Sequence, residues 1–191
     1  SFHMAKVMTT VEGGMIFSHN EKFAQEAKIR RNQGESQKYH HSHLGTNARM
    51  NDIVAGIGLA QYTKLQKMLL ERRRVAKKYD SKFSNCSEIK FMNCERKNSK
   101  NAYFFYPILV QDRDGLGAFL KNNGIDTRVA YPMPLYKQEV YNKRGNLCRV
   151  TSCPVTEYFT EQVINLPIFP KLEDSQVDRI ADLVLEFVDK Q

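Results

Sequence analysis

The chain has no tryptophan, only four cysteines, and no apolar run near the ~20 residues that a membrane-spanning helix requires. A span is therefore not expected. With no basic-then-apolar leader ahead of the first motif, the expected location is the cytoplasm. Cys86, Cys94, Cys148 and Cys153 include no C-x-x-C pair and read as free thiols rather than a disulfide framework. Zinc would need closely spaced Cys and His ligands. Cys148 and Cys153 are five apart with no second matching pair, and no cysteine or further His pair faces the His40, His41, His43 cluster. No metal is expected. Acidic residues are also scarce: 21 Asp and Glu against 29 Lys and Arg leave a net charge of +8. The excess lies in Lys28, Arg30 and Arg31 and in the run from Arg72 to Lys78, both of which read as solvated helix faces. No nucleic-acid module signature accompanies them and no aromatics are interleaved, so the charge better suits attraction of a small anionic ligand.

What is present is ordinary globular material. A chain of 191 residues, 41% hydrophobic and 26% charged, accommodates one domain, or one domain with a piece of another. Residues 14–18 read as a short buried strand. Asn20 is placed to cap a helix over 21–32, with Phe23, Ala24 and Ala27 on one face and Gly34 ending it. Residues 35–46 are polar and His-rich and read as a loop. The longest helix starts at Asn51 or Asp52, and an apolar stripe from Ile53 to Phe83 predicts burial along its whole length. Gly56 and Gly58 weaken its first turns by ~1 kcal/mol each unless something packs against the backbone there, and a partner helix or subunit would be such a reason. Beyond it the texture changes to short strands at 89–93, 103–110 and 127–131, a helix over 115–123, and an irregular aromatic stretch at 132–141. Residues 166–170 read as extended. A final helix begins at a capping box of Ser175 and Asp178 and carries Val177, Ile180, Ala181, Val184 and Val188. The pattern predicts an α+β small domain joined to an α/β fragment: residues 1–34, a loop and long connecting helix at 35–84, and a small domain at 85–191.

Four segments carry chemistry or a recognisable pattern. The chain opens Ser1-Phe2-His3-Met4-Ala5-Lys6, followed by Glu12-Gly13-Gly14, which presents one amine just before a Gly-Gly turn. Gly45-Thr46-Asn47-Ala48-Arg49-Met50 places an amide and a guanidinium two residues apart, on one side of an extended stretch, where both can donate to an anion. Gly124-Ile125-Asp126-Thr127-Arg128 leads to Tyr131-Pro132 and Pro134-Leu135-Tyr136, and Leu166-Pro167-Ile168-Phe169-Pro170 precedes the last helix. Taken singly, each has a plainer reading: a solvated terminal lysine, a fraying Ser1, and an arginine paired to a surface acid.

Together they resemble the second half of the DegT/StrS-type nucleotide-sugar aminotransferases, which have the aspartate-aminotransferase-like PLP fold. The resemblance implies that Lys6 carries pyridoxal 5'-phosphate (PLP) as a Schiff base and shuttles a proton. It implies further that Ser1 and Asn47 bind the cofactor phosphate, that His3 lies near the ring, and that Arg49 lies in the same site. In the family the Asn reaches across to the neighbouring subunit's cofactor, so a homodimer is implied. Tyr131 and Tyr136 would line the entrance to the sugar site, with Tyr136 standing where His is usual. Ala5 replaces a frequent Thr and Val11 a frequent Gly. The implied reaction moves an amino group, from glutamate as donor, to a nucleotide-linked keto-sugar in polysaccharide or aminosugar biosynthesis. Segments that would hold the rest of the cofactor belong to the family's first half, so this chain alone is expected to be inactive and to need a polypeptide supplying that half. Two other readings stay open: a non-catalytic dimerisation or binding remnant, and a nucleic-acid surface along Arg72–Lys78.

Overall fold

The computed structural model describes residues 1–91, 98–142 and 153–190 and forms two units, Ser1–Gln66 and Lys67–Gln191. Cys94, Cys148 and the ends of the segments expected at 89–93 and 166 onward were read from sequence; of these, the two cysteines and residues 92–93 lie outside the described residues.

The first unit is built on turns and close backbone approaches. Residues 1–13 close into a loop: Phe2 N–H donates to the Gly13 carbonyl (2.8 Å) and Thr10 N–H to that of Phe2 (2.9 Å). Asn20 caps helix α1 (Glu21–Arg31), its side-chain oxygen accepting from Phe23 N–H at 3.0 Å, with Lys28, Arg30 and Arg31 in the last turn where the helix dipole favours them. Gly34 ends the turn at φ +75°, and its N–H returns to the Ile29 carbonyl. A Cβ there would overlap the His43 carbonyl oxygen.

Residues 35–46 are not a simple loop. They form a two-stranded antiparallel ribbon, β1 (Glu35–Gln37) and β2 (His40–His41). Both strands are exposed on both faces, so no apolar alternation announces them. The strand expected at 14–18 does not form: Met15, Ile16 and Phe17 are exposed, and no described strand offers them a ladder.

Asn51 caps the long helix α2 (Asp52–Phe83), accepting from Val54 N–H at 3.0 Å. Its stripe is not buried throughout. Ile53 and Ile57 stand exposed, whereas Val75, Ala76, Tyr79 and Phe83 are fully buried in the second unit. Gly58 is explained from within: a Cβ there would lie 2.9 Å from the Thr10 methyl, in a first unit whose buried residues are only Thr10, Gly34 and Gly58. Nothing lies within 4 Å of a Cβ placed on Gly56. The two glycines should therefore part company. Gly56→Ala is expected to stabilise by up to ~1 kcal/mol and Gly58→Ala to give no gain or a loss, read by thermal unfolding of the two variants.

The second unit has the core. Strands β3 (Lys90–Phe91), β4 (Tyr106–Leu109) and β5 (Val163–Leu166) form an antiparallel sheet in the order β3-β4-β5. Helix α3 (Arg113–Asn122), capped by Asp112 and followed by Gly124, packs on α6 (Asp174–Val188). Between them and the second half of α2 lie Ile108, Leu116, Leu120, Ile164, Val177 and Val184, each excluded from solvent and each contributing ~1.5–3 kcal/mol of hydrophobic burial. Tyr79 stacks on Phe83 at 5.9 Å and meets Tyr106 at 4.8 Å. The last helix starts one turn-fraction earlier than its Ser175–Asp178 pattern suggests. The capping box is Glu173 with Gln176, whose side-chain oxygen accepts from Glu173 N–H at 3.0 Å. Asp178 is occupied elsewhere, by Lys78 at 2.8 Å and Lys82 at 3.4 Å. Two further helices, α4 (Glu139–Asn142) and α5 (Pro154–Gln162), were not evident from the sequence, nor was β5.

The basic run on α2 is not a solvated face. Arg72 donates to the carbonyls of Tyr103 (2.8 Å) and Ile168 (3.1 Å), Arg73 to that of Asn101 (3.0 Å), and Arg74 to Leu172 (2.7 Å), with Glu71 and Asp174 as ion partners. Lys82 pairs with Asp182 at 2.9 Å, which together with Asp178 raises its ammonium pKa. These groups tie the loops at 101–103 and 167–174 to the helix. Their donors are spent on the fold, and ion pairs offset the charges of Arg74, Lys78 and Lys82.

Candidate functional site

Ser1, His3 and Lys6 share one turn. Lys6 N–H donates to the His3 carbonyl at 2.9 Å, His3 N–H reaches the Ser1 hydroxyl oxygen at 3.4 Å, and Ala5 N–H donates to His3 Nδ1 at 3.2 Å. An accepting Nδ1 leaves the proton of a neutral imidazole on Nε2, the nitrogen that faces Glu12 at 3.8 Å. Lys6 is half-buried, while Ser1 and His3 are exposed. The loop is held by main-chain bonds and by the hydroxyls of Thr9 and Thr10, which donate to the carbonyls of Phe2 (3.1 Å) and Glu12 (2.7 Å).

Within the same loop, Val11 sits at φ +72° with its N–H donated to Thr9 Oγ1 at 2.9 Å. A β-branched residue is strained in that left-handed region, which glycine adopts freely. Val11→Gly is expected to stabilise the protein by ~1 kcal/mol, measured by denaturant unfolding; a loss of stability would show that the strain reading is wrong.

Asn47 and Arg49 form a second group in the same unit. Arg49 Nε donates to Asn47 Oδ1 at 3.0 Å, and both side chains are exposed. The segment that carries them is sewn to the end of α1: Thr46 N–H donates to the Arg30 carbonyl (2.9 Å), Ala48 N–H to that of Arg31 (2.9 Å), and Gln33 N–H to that of Thr46 (3.0 Å). The main chain on either side of Asn47 is thus set by the end of α1, while the Asn47 and Arg49 side chains are exposed. An open groove of about 1050 Å³ lies alongside, lined by Ser1, Met15, Ile16, Phe23, Leu44 and Met50 among others. Ser1 stands at its edge; His3, Lys6, Asn47 and Arg49 do not line it.

In the second unit Tyr131 is exposed, on a segment held by Asn165. This buried asparagine exchanges main-chain bonds with Arg128 (2.8 and 3.2 Å) and donates its side-chain amide to the same carbonyl at 2.9 Å. The expected strand at 127–131 reduces to that one bridge. Tyr136 lies in a single 3₁₀ turn (Leu135–Lys137) and donates its hydroxyl to Glu157 of α5 at 2.7 Å. That bond pushes the phenol pKa up to about 12, and together with Lys137, 2.9 Å from the other carboxylate oxygen, it holds Glu157 below the usual carboxylate range. Sequence reasoning missed Glu157, Asn165 and Thr10. Pro154 at the first position of a helix was the available signal for Glu157; for Thr10 and Asn165 there was none, because their partners are main-chain atoms.

The donor set suits PLP at two of its ends. An amine fits the aldehyde; a hydroxyl, an amide and a guanidinium fit the phosphate. Among the described residues no group of three or more Cys, His, Asp or Glu side chains is arranged to hold a metal.

Comparison with known proteins agrees with this chemistry. The model of the DegT/DnrJ/EryC1/StrS aminotransferase family matches residues 1–185. GDP-perosamine synthase of Vibrio cholerae is 28% identical over 198 residues, covering 98% of this chain and 51% of the relative. The structure of Helicobacter pylori PseC, an aminotransferase involved in the biosynthesis of pseudoaminic acid, superposes with a TM-score of 0.86 at 26% identity, over 100% of this chain and 53% of that one. Spr1654 of Streptococcus pneumoniae in its PLP form superposes with a TM-score of 0.82 at 26% identity, over 100% and 51% respectively. The chain thus spans about half the length of the proteins it matches, and its fold is that part of the PLP aminotransferase fold. With the family pattern running through nearly all of it, the chain belongs to the DegT/DnrJ/EryC1/StrS aminotransferase family.

Proposed function

We propose that this chain is the C-terminal part of a PLP-dependent enzyme that transfers an amino group, with glutamate as donor, to a keto-sugar carried on a nucleoside diphosphate in polysaccharide or aminosugar biosynthesis. The observation that carries the reading is the closed Ser1–Gly13 loop, which holds a half-buried lysine and a serine in one turn, in a chain matched by the family over residues 1–185. PLP, when bound, supplies the electron sink that acidifies the donor's Cα–H. Lys6 would hold the cofactor through its amine and, once displaced, its Nζ would take the proton from that carbon and deliver it to the cofactor carbon that Nζ itself had occupied. Ser1 Oγ and the Asn47 amide donate to the phosphate, Arg49 offers its guanidinium to an anionic group, and His3 lies beside the ring.

A partner completes the site. Support comes from the first unit itself, which buries no hydrophobic residue yet exposes Met15, Ile16, Phe17, Leu44 and Ile53. Apolar surface on that scale calls for cover. A second copy and the polypeptide corresponding to the relatives' other half are the two covers we assign. Among the described residues no helix is long and apolar enough to cross a membrane, and a cytoplasmic enzyme is part of the proposal. The experiment is borohydride reduction of the complete enzyme with PLP, followed by peptide mapping. A PLP-sized adduct on Lys6, absent from Lys6→Arg, is the expected result. Its absence would leave the chain a binding remnant without the chemistry.

A further inference from the structure

Tyr136 has a single proton, and the fold has already placed it. We infer that Glu157 is a positioning residue which accepts the hydrogen bond of the Tyr136 phenol, so that Tyr136 meets the nucleotide-sugar only as an acceptor and selects a sugar hydroxyl, not the diphosphate. The inference rests on the aminotransferase reading above and on the family resemblance, which implies that Tyr136 lines the sugar entrance.

A phenol has one O–H to give and oxygen lone pairs to receive with. The bond to Glu157 Oε1, at 2.7 Å, has the length of a charge-assisted O–H···O⁻ contact, among the stronger hydrogen bonds proteins make. The second carboxylate oxygen is engaged by Lys137 at 2.9 Å. One carboxylate therefore serves two adjacent side chains of the same 3₁₀ turn and offsets the lysine's charge. A diphosphate, which only accepts hydrogen bonds and favours uncompensated cations, finds neither a free phenol proton nor an uncompensated lysine in this three-residue group. A hydroxyl finds an acceptor. Glu157 itself is fixed by the helix, its N–H donating to the Cys153 carbonyl at 3.0 Å in the first turn of α5, where a carboxylate is favoured. The groups facing the phenol are Glu157 and Cys153, with Lys137 behind the carboxylate. Glu157 and burial raise the phenol pKa, and the Cys153 main chain opposes them only in part.

The test compares the wild type, Tyr136→Phe, Glu157→Leu and Glu157→Gln in the complete enzyme. UDP-glucose, GDP-mannose and dTDP-glucose are titrated calorimetrically, each beside its own nucleoside diphosphate. Tyr136→Phe and Glu157→Leu are expected to weaken the sugar nucleotide that binds by about tenfold and to leave its nucleoside diphosphate within about twofold. Glu157→Gln keeps an acceptor for the phenol and should restore the affinity that Glu157→Leu loses. In Glu157→Leu, ultraviolet titration should show one tyrosine ionising at lower pH than in wild type, a change that loss of packing alone does not produce. Equal weakening of diphosphate and sugar nucleotide would overturn the inference, as would no change in either variant, or failure of every sugar nucleotide to bind while Lys6 still forms its adduct. If the wild type forms no Lys6 adduct, the aminotransferase reading falls and takes this inference with it.

Discussion

Lys6→Arg in the complete enzyme is expected to lower the rate of amino transfer by at least ~10³-fold while leaving the unfolding temperature nearly unchanged. The reason is the chemistry of the two cations. An ammonium can lose its proton, attack a carbonyl carbon and later accept a proton from carbon, whereas a guanidinium stays charged at every working pH and can do none of these. Stability should largely survive because arginine keeps the positive charge and an aliphatic stem, and the main-chain bonds that close the loop, Phe2 to Gly13 at 2.8 Å, Lys6 to His3 at 2.9 Å and Thr10 to Phe2 at 2.9 Å, remain available. Single-turnover kinetics with the sugar acceptor, beside a thermal melt, checks both halves of the expectation. A variant retaining a tenth of the wild-type rate would remove Lys6 from the mechanism.

The largest stability effect is expected at Arg72. Its Nη1 donates to two carbonyls from distant parts of the chain, Tyr103 at 2.8 Å and Ile168 at 3.1 Å, and the side chain is half-buried. Charge-assisted bonds of this kind contribute ~1.5–3 kcal/mol each, and removing the donor leaves two carbonyls stranded. An opposing effect limits the loss. Burial lowers the guanidinium pKa, and Nε has no hydrogen-bond partner, so replacement by an apolar side chain recovers part of a desolvation cost. Arg72→Met is therefore expected to destabilise by ~2–3 kcal/mol and Arg72→Ala by somewhat more, since alanine also leaves a void. Arg72→Lys should not rescue fully, because an ammonium is more strongly hydrated than a guanidinium and costs more to hold half-buried between the two carbonyls. Urea unfolding measures the series, and a loss under ~1 kcal/mol for Arg72→Met would show that the carbonyls find other donors. Duplex DNA titrated at low salt gives the companion measurement: no steep salt-dependent binding is expected from wild type or variant.

Legibility followed burial. The helices α1, α2, α3 and α6 could be read because caps and 3.6-residue spacing are local, and Asn20 and Asn51 cap where the sequence placed them. β5 could not be read, since Val163 to Leu166 are all buried and a strand buried on both faces loses its alternation. The ribbon β1–β2 escaped for the opposite reason: with both faces exposed, nothing apolar marks either side. Helix α5 hides behind an exposed first turn, Pro154, Val155 and Thr156. The stretch Met15–Phe17 misled because apolar composition alone reads as a buried strand, whereas a strand also needs a neighbour to pair with. For the site, the lysine turn and the Asn47–Arg49 pair were legible as residue types at fixed spacing. That Asn47 and Arg49 bond to each other, and that Tyr136 is bonded to Glu157, was not.

Sequence by itself determined what depends on a few consecutive residues. It settled the family, the capped helices, the turn at Gly34 and the chemical groups available to a cofactor, because dihedral permission and helical spacing act over short range. Tertiary structure decided which donor meets which acceptor. Arg72 and Ile168 lie 96 residues apart and Tyr136 and Glu157 lie 21 apart, and nothing local distinguishes a solvated arginine from one that ties two loops together, or a free phenol from one whose proton is committed. Composition can list polar groups, but their pairing depends on which parts of the chain are brought within ~3 Å, and that is set by packing of the core.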